Sequence, residues 1–255
     1  MKETDFNSLI LSTYQTLGNI NNKNDFYFEM LKFCTKIKDG HTNIWGKLPD
    51  ESWLTVAVSW INSSLYITDV EKKEYEHLQY KEIIRLNDIP VNELEPGINQ
   101  YISTDMKNIY RKRYLSPNFI TKKNFLNQLN LLDSENKIKI TYLNDSDEMD
   151  ISIPADETYA VPITYNKRNK ITSIKKKINF HTILKEKSAM YVQFNQMPRI
   201  VDKDYWKNIF TLINSNNLNY LVIDLRNNGG GNSRWNNELL PFLVKKTKPV
   251  YVYSG

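Results

Sequence analysis

Three consecutive glycines, Gly229 to Gly231, constrain this chain more than any other feature, because only 8 of its 255 residues are glycine. They follow Tyr220-Leu-Val-Ile-Asp-Leu-Arg-Asn-Asn228, whose apolar, β-branched opening reads as a buried strand over 220–225. They precede Ser233-Arg-Trp-Asn-Asn-Glu-Leu-Leu240, which reads as the start of a helix over 234–244 with Ser233 as its N-cap. Glycine lets the backbone take positive φ and come close to a ligand. A glycine cluster between strand and helix also leaves amide N–H groups free to face a negative oxygen.

The flanking pattern places that loop in an α/β sheet. Ala189-Met-Tyr-Val-Gln-Phe194 reads as a strand, Lys203 to Ile213 as a helix, and Pro249-Val-Tyr-Val-Tyr253 as a further strand. Strand and helix in alternation predict right-handed crossovers and a parallel sheet, with chemistry at the carboxyl ends of the strands. Residues 156–187 are polar and show no regular period.

Upstream the character differs. The first 38 residues read as two helices, one with Phe6, Leu9, Ile10, Tyr14 and Leu17 on a face. The second carries Phe26, Met30, Phe33, Cys34 and Ile37, with Asp25 as N-cap and Gly40 as the stop. Between about 50 and 155 the chain is strand-rich. Trp53 to Trp60 and Leu65 to Thr68 form one pair of strands, and Lys81 to Asn87 runs into the turn Asn87-Asp-Ile-Pro90. Helical pattern follows to Tyr101 and returns over Lys123 to Leu132; Asn136 to Tyr142 and Met149 to Ile153 then make a hairpin. The expected fold is α+β / α/β and multidomain: a helical segment over 1–48, a β-rich module over 49–155, and part of an α/β core over 156–255.

Composition excludes several functions. The net charge of +5 comes from scattered lysines, and the densest basic run, Asn166 to Lys177, reads as a solvated loop or strand pair, so no nucleic-acid partner is expected. The one cysteine, Cys34, permits no disulfide within the chain and reads as a core residue. Three histidines without paired spacing point to no metal site, and no cofactor is expected. No apolar run approaches the about 18 residues of a membrane span. Met1-Lys-Glu-Thr-Asp-Phe6 has no secretory h-region, which points to the cytoplasm; removal of an earlier leader would make the protein extracytoplasmic.

The loop's anion is not a nucleotide phosphate. A P-loop needs Lys-[Ser/Thr] after its last glycine, whereas Gly231 is followed by Asn232-Ser233. The dinucleotide fingerprint spaces its glycines over six residues. Two readings stay open: a tight turn needed for packing, and an oxyanion hole that stabilises a tetrahedral acyl intermediate.

Asp224-Leu-Arg-Asn-Asn-Gly-Gly-Gly-Asn-Ser233 resembles the core motif of the C-terminal processing and tricorn-like serine peptidases. Lys38-Asp-Gly-His-Thr42 resembles a segment of that family's tricorn-like members, and Lys81 to Leu94 resembles part of a PDZ-like module. The resemblance implies a helical pair, a PDZ-like middle module and a crotonase/ClpP-like peptidase core. It implies a peptide or protein substrate, Gly229 and Gly230 as candidate oxyanion donors, and His41 as candidate general base. The processing branch instead uses a lysine base downstream of the nucleophile. The nucleophilic serine is implied at the start of the helix after the strand at 249–253, hence past Gly255, so the chain reads as truncated before it; neither Ser233 nor Ser254 fits the role. A non-catalytic peptide-binding or scaffold pseudoenzyme of the same fold is the alternative. Asp224 and Arg226 read as an ion pair that shapes the loop, and Trp235 as either a pocket wall or core. An open edge on the strand at 249–253 invites self-pairing, so a homo-oligomer is expected.

Overall fold

The computed structural model describes residues 2–44, 46, 51–158, 179–226 and 228–244. The basic run at 166–177, the expected strand at 249–253 and Ser254 lie outside the described residues. The chain divides into two compact units, Met1–Thr164 and Tyr165–Gly255.

The first unit opens with the expected helical pair, α1 (Glu3–Leu17) and α2 (Lys23–Ile37). Asn22, not Asp25, caps α2: its Oδ1 accepts from the Asp25 N–H at 2.9 Å, so Asp25 sits inside the first turn. The helix ends one step before the glycine turn, on Lys38 in the left-handed region at φ 61°. The buried face of α2 is Phe28, Leu31 and Cys34, rotated from the expected stripe, and Phe26 stays half exposed. The face expected for α1 is largely exposed as well, with Phe6, Ile10 and Tyr14 at the surface. The reason is layering: α2 inserts into the core while α1 rests on its outer side, Phe6 against Phe33 at 6.5 Å between ring centroids.

The sheet of this unit is antiparallel. Its path among the described residues is β1 (Val56–Ile61), β2 (Ser64–Val70), β3 (Glu82–Leu86), β5 (Lys137–Asn144) and β6 (Asp147–Pro154), with β4 (Ile89–Pro90) paired to β3. Left-handed residues close each tight turn: Asn62 between β1 and β2, Asn87 and Asp88 between β3 and β4, and Asp145 between β5 and β6. Asn and Asp tolerate this conformation better than other residues with a side chain, which is why these turns were legible. Helix α3 (Val91–Asn99) buries Val91, Leu94 and Ile98. Two short helices that the sequence pattern did not reveal follow, α4 (Ile109–Leu115) and α5 (Pro117–Ile120), and α6 (Lys123–Gln128) is shorter than expected. Phe28 and Leu31 of α2 pack in one core with Leu65, Ile67, Phe125 and Ile138, so α2 and the strand-rich segment share one apolar interior.

The second unit has a mixed sheet rather than the all-parallel one expected. β7 (Phe180–Leu184) pairs antiparallel with β8 (Ala189–Gln193), and β8 pairs parallel with β9 (Tyr220–Asp224). β7 arises in the stretch that showed no period, and Ser188 at φ 46° makes the reversal into β8. α7 (Tyr205–Ser215) links β8 to β9, and α8 (Arg234–Leu243) follows the glycine loop. Met190, Val192 and Phe194 meet Trp206, Ile209 and Trp235 from these helices in a second core.

The buried face of α2 has a measurable consequence. Leu31→Ala is expected to destabilise the first unit by about 2–5 kcal/mol, and Tyr14→Ala on α1 to change it by less than about 0.5 kcal/mol. Urea unfolding followed by tryptophan fluorescence reads both.

Candidate functional site

The carboxyl ends of β8 and β9 lie side by side, with Gln193 in register with Asp224. Asp224 is buried and its carboxylate accepts four hydrogen bonds. Oδ1 takes the Arg226 backbone N–H at 3.0 Å and Nε–H at 2.9 Å; Oδ2 takes an Arg226 terminal N–H and the Tyr191 hydroxyl, each at 2.6 Å. The Arg226 hydrogen bonds, joined by Tyr191, hold the Asp224 carboxyl well below the usual carboxylate range against the opposing effect of burial. The same pairing raises Arg226, and burial with the Asp224 contact raises the Tyr191 phenol. The expected ion pair is therefore present, and Tyr191 joins it from the neighbouring strand.

Two asparagines then tie the loop down. Asn228 Nδ2 donates to the Phe194 carbonyl at 2.7 Å, and its Oδ1 accepts from the Gly230 N–H at 2.7 Å. Met197 N–H donates to the Gly230 carbonyl at 3.3 Å, and the Asn232 N–H donates to the Met197 carbonyl at 3.0 Å, so Gly231 makes a parallel bridge with Met197. Gly230 and Gly231 have φ of 93° and 135°. A Cβ on Gly231 would stand 2.1 Å from the Met197 carbonyl oxygen, so the close approach requires glycine there. All three glycines are exposed. Among the described residues the Gly229 N–H has no hydrogen-bond partner.

The helix start differs from expectation. Ser233 makes no side-chain cap; Asn232 Oδ1 accepts from the Arg234 N–H at 3.1 Å instead, while its Nδ2 donates to the Arg199 carbonyl at 2.9 Å. Trp235 is core: it is buried, its ring lies against Phe194, and its Nε1–H donates to the Pro198 carbonyl at 2.9 Å.

His41 belongs to the first unit, on the expected turn after α2, closed by the Thr42 N–H to the Asp39 carbonyl at 3.2 Å. Asp39 Oδ2 accepts from the Thr42 hydroxyl at 2.5 Å and Oδ1 from the His41 N–H at 3.2 Å. Thr42 and the His41 amide hold the Asp39 carboxyl below its ordinary range. The Gly40 N–H donates to Asp105 Oδ1 at 2.8 Å, and the Ser103 hydroxyl to the Asp39 carbonyl at 2.7 Å. The imidazole is 92% exposed, with Nδ1 3.6 Å from Asp39 Oδ1, a Coulombic contact rather than a hydrogen bond. Asp39, His41 and Asp105 bring ligand atoms within 4.8 Å of one another, a grouping that histidine spacing could not reveal. Both carboxylates already accept hydrogen bonds from the turn, and all three groups face solvent, as structural turns commonly do. A cavity of about 220 Å³ beside this turn is lined by Tyr27, Gly40, Asn43, Ser103 and Arg111 among others.

Residues 188–254 match Peptidase family S41, a span that contains β8, β9 and the glycine loop. The chain is similar in fold to mature CPAF complexed with lactacystin, with a TM-score of 0.59, 11% identity, and coverage of 91% of this chain and 52% of that one. It is likewise similar to mature CPAF alone, at TM-score 0.58 and 13% identity, covering 91% of this chain and 51% of that one. The chain thus spans about half the length of these solved structures. No curated protein sequence matches it significantly. The resemblance to the C-terminal processing serine peptidase family, read from two short motifs, is borne out.

Two outcomes test the loop's construction. Asp224→Asn is expected to destabilise the second unit by about 2 kcal/mol at pH 7. Because folding depresses this carboxyl, its contribution is complete above the unfolded value of about 3.9 and fades as pH falls toward the folded value, so the gap between variant and parent narrows below about pH 4. Urea titrations at neutral and acid pH measure that gap; a constant difference would contradict the assignment. Gly231→Ala is expected to cost at least about 1–3 kcal/mol through positive φ alone, with the clash against Met197 added.

Proposed function

We propose that this chain serves a serine-type peptidase of the tricorn-like branch, which cleaves peptide bonds through an acyl-enzyme. The observation that carries the reading is the exposed turn at the end of β9. It is braced by Asp224 and Asn228, and it keeps a backbone N–H without a partner among the described residues. The Peptidase family S41 match across this turn supports acyl transfer rather than a packing turn.

In this mechanism a serine hydroxyl attacks the scissile carbonyl carbon and passes its proton to an imidazole. The carbonyl oxygen becomes an oxyanion and is met by loop N–H groups. Collapse of the intermediate expels the amine, which takes the proton back, and water repeats the sequence to release the acid. His41 is the proposed base. The Asp39 carboxylate lies 3.6 Å from its Nδ1, beside the ring nitrogen that an orienting partner would address. By the family resemblance the serine is expected downstream of the glycine loop, after a further strand. The antiparallel sheet of the first unit, with α3 beside it, is read as a PDZ-like module that presents a peptide, and the peptide is read as joining the catalytic sheet as an added strand.

The test uses the natural protein with a fluorophosphonate probe and a fluorogenic peptide. His41→Ala is expected to lower kcat by about 10²–10⁴-fold. Undiminished hydrolysis would assign the base to a lysine. Neither labelling nor turnover by the parent protein would favour the peptide-binding scaffold.

A further inference from the structure

We propose that the cavity beside the His41 turn is a side-chain subsite for the peptide, and that Arg111 makes it select an acidic side chain, glutamate above all. The inference rests on the peptidase reading and deepens it, because it names a substrate class for the site of the proposed base.

The cavity lies wholly within the first unit and measures about 220 Å³. Sites that enclose a whole small molecule run to about 300–1,000 Å³, so this one has the size for a single side chain. Its walls are apolar, from Tyr27 of α2, Ile44, Ile102, Leu115 and Phe119. Gly40 and Asn43, which bracket His41 in sequence, line it from the turn. Among the described residues Arg111 is the one charged side chain that lines it, and no carboxylate does. Arg111 is exposed; a terminal N–H donates to the Gly40 carbonyl at 3.4 Å, and its guanidinium meets no carboxylate among the described residues. Asn43 turns its Oδ1 to the Ile44 N–H at 2.8 Å, which leaves Nδ2 as a second donor.

The neighbouring charges single out Arg111. Arg113 gives two hydrogen bonds to Glu95, at 2.7 and 3.0 Å, and Lys112 donates to the Asn99 carbonyl at 3.0 Å. Residues 106–118 contain no acid, and the exposed Lys107 adds to the positive charge. Two acids near the turn do not cancel it. Asp39 faces the Thr42 hydroxyl and the His41 N–H, Asp105 Oδ1 takes the Gly40 N–H, and neither lines the cavity. A guanidinium offers N–H groups in a fork that matches a carboxylate. A glutamate side chain therefore suits both features: its methylenes meet the apolar walls and its carboxylate meets Arg111. A carboxylate at a chain end lacks that stem. Glutamine keeps the shape and loses the charge, which makes it the control.

Peptides that differ in one group test the subsite. The ¹⁵N-labelled chain is titrated with acetyl-Ala-Glu-Ala-amide and acetyl-Ala-Gln-Ala-amide, and with acetyl-Ala-Ala-Ala ending in a free acid or in an amide. The glutamate peptide is expected to shift the Gly40 and Asn43 amide signals and to bind about tenfold more tightly than the glutamine peptide. That preference is expected to shrink as ionic strength rises from about 0.05 to 0.5 M. Arg111→Gln is expected to abolish it and Arg111→Lys to keep part of it, with unchanged unfolding midpoints. If Arg111→Gln does not fold, the two peptides and their salt dependence in the parent carry the test. Equal affinity for both peptides in the parent, a preference that salt does not weaken, or a full preference in folded Arg111→Gln would overturn the proposal. Discrimination confined to the acid and amide pair would overturn it too, since it assigns a chain end. With the natural protein and fluorogenic versions of the first two peptides, the preference is expected in KM, about tenfold, with kcat alike within about twofold. Glutamate-selective binding without hydrolysis by the parent would remove the peptidase reading and leave the acidic-side-chain site standing. Hydrolysis indifferent to glutamate and glutamine would remove the subsite alone.

Discussion

Everything at the carboxyl edge of the second unit depends on one buried carboxylate. Asp224 ends β9, and an isolated charge at that depth would cost several kcal/mol. Four hydrogen bonds remove that cost, three of them from a residue only two positions on. Arg226 can supply them only if the chain turns sharply after the strand. The ion pair therefore dictates the direction in which Asn228 and the glycines leave the sheet. Tyr191 ties the same carboxylate to β8, so the two strands are joined by a side-chain hydrogen bond as well as by their ladder.

The loop beyond that anchor is held by side-chain amides and not by regular structure. Asn228 bridges to the exit of β8, Asn232 to the segment after it, and the Met197 bridge closes the gap between them. Glycine at 231 is a steric requirement of that bridge, whereas the Cβ positions of Gly229 and Gly230 are both open. The three identical residues thus differ in surroundings: Gly231 packs against Met197, the Gly230 N–H is engaged by Asn228, and the Gly229 N–H has no partner among the described residues.

Much of this was legible in the sequence, for physical reasons that can be named. The helical pair, the hairpins and the strand–glycine–helix unit announce themselves through periodicity and through Asn, Asp and Gly at left-handed positions. The ion pair of Asp224 and Arg226 is local, and so is the His41 turn. What escaped is nonlocal. Asn228 and Asn232 act on carbonyls 34 and 33 residues away, and nothing in their own neighbourhood signals those partners. Asn232 displaces Ser233 as the cap because its side chain already lies across the turn. β7 was hidden because polar residues alternate weakly with apolar ones and the strand takes its identity from pairing with β8. The exposed face of α1 was misjudged because an amphipathic stripe reports that a helix has a partner, not how many. A run of identical letters cannot show that the Gly230 N–H is engaged by Asn228, a contact visible only in space.

The central claim is the proposed one, that backbone N–H groups of the loop at the end of β9 meet a developing negative charge. The most direct measurement is a crystal structure of the natural protein after reaction with a fluorophosphonate. The account predicts a phosphonyl oxygen about 2.7–3.1 Å from a backbone nitrogen of the 229–231 loop. A phosphonyl oxygen that meets no N–H of this loop would contradict it.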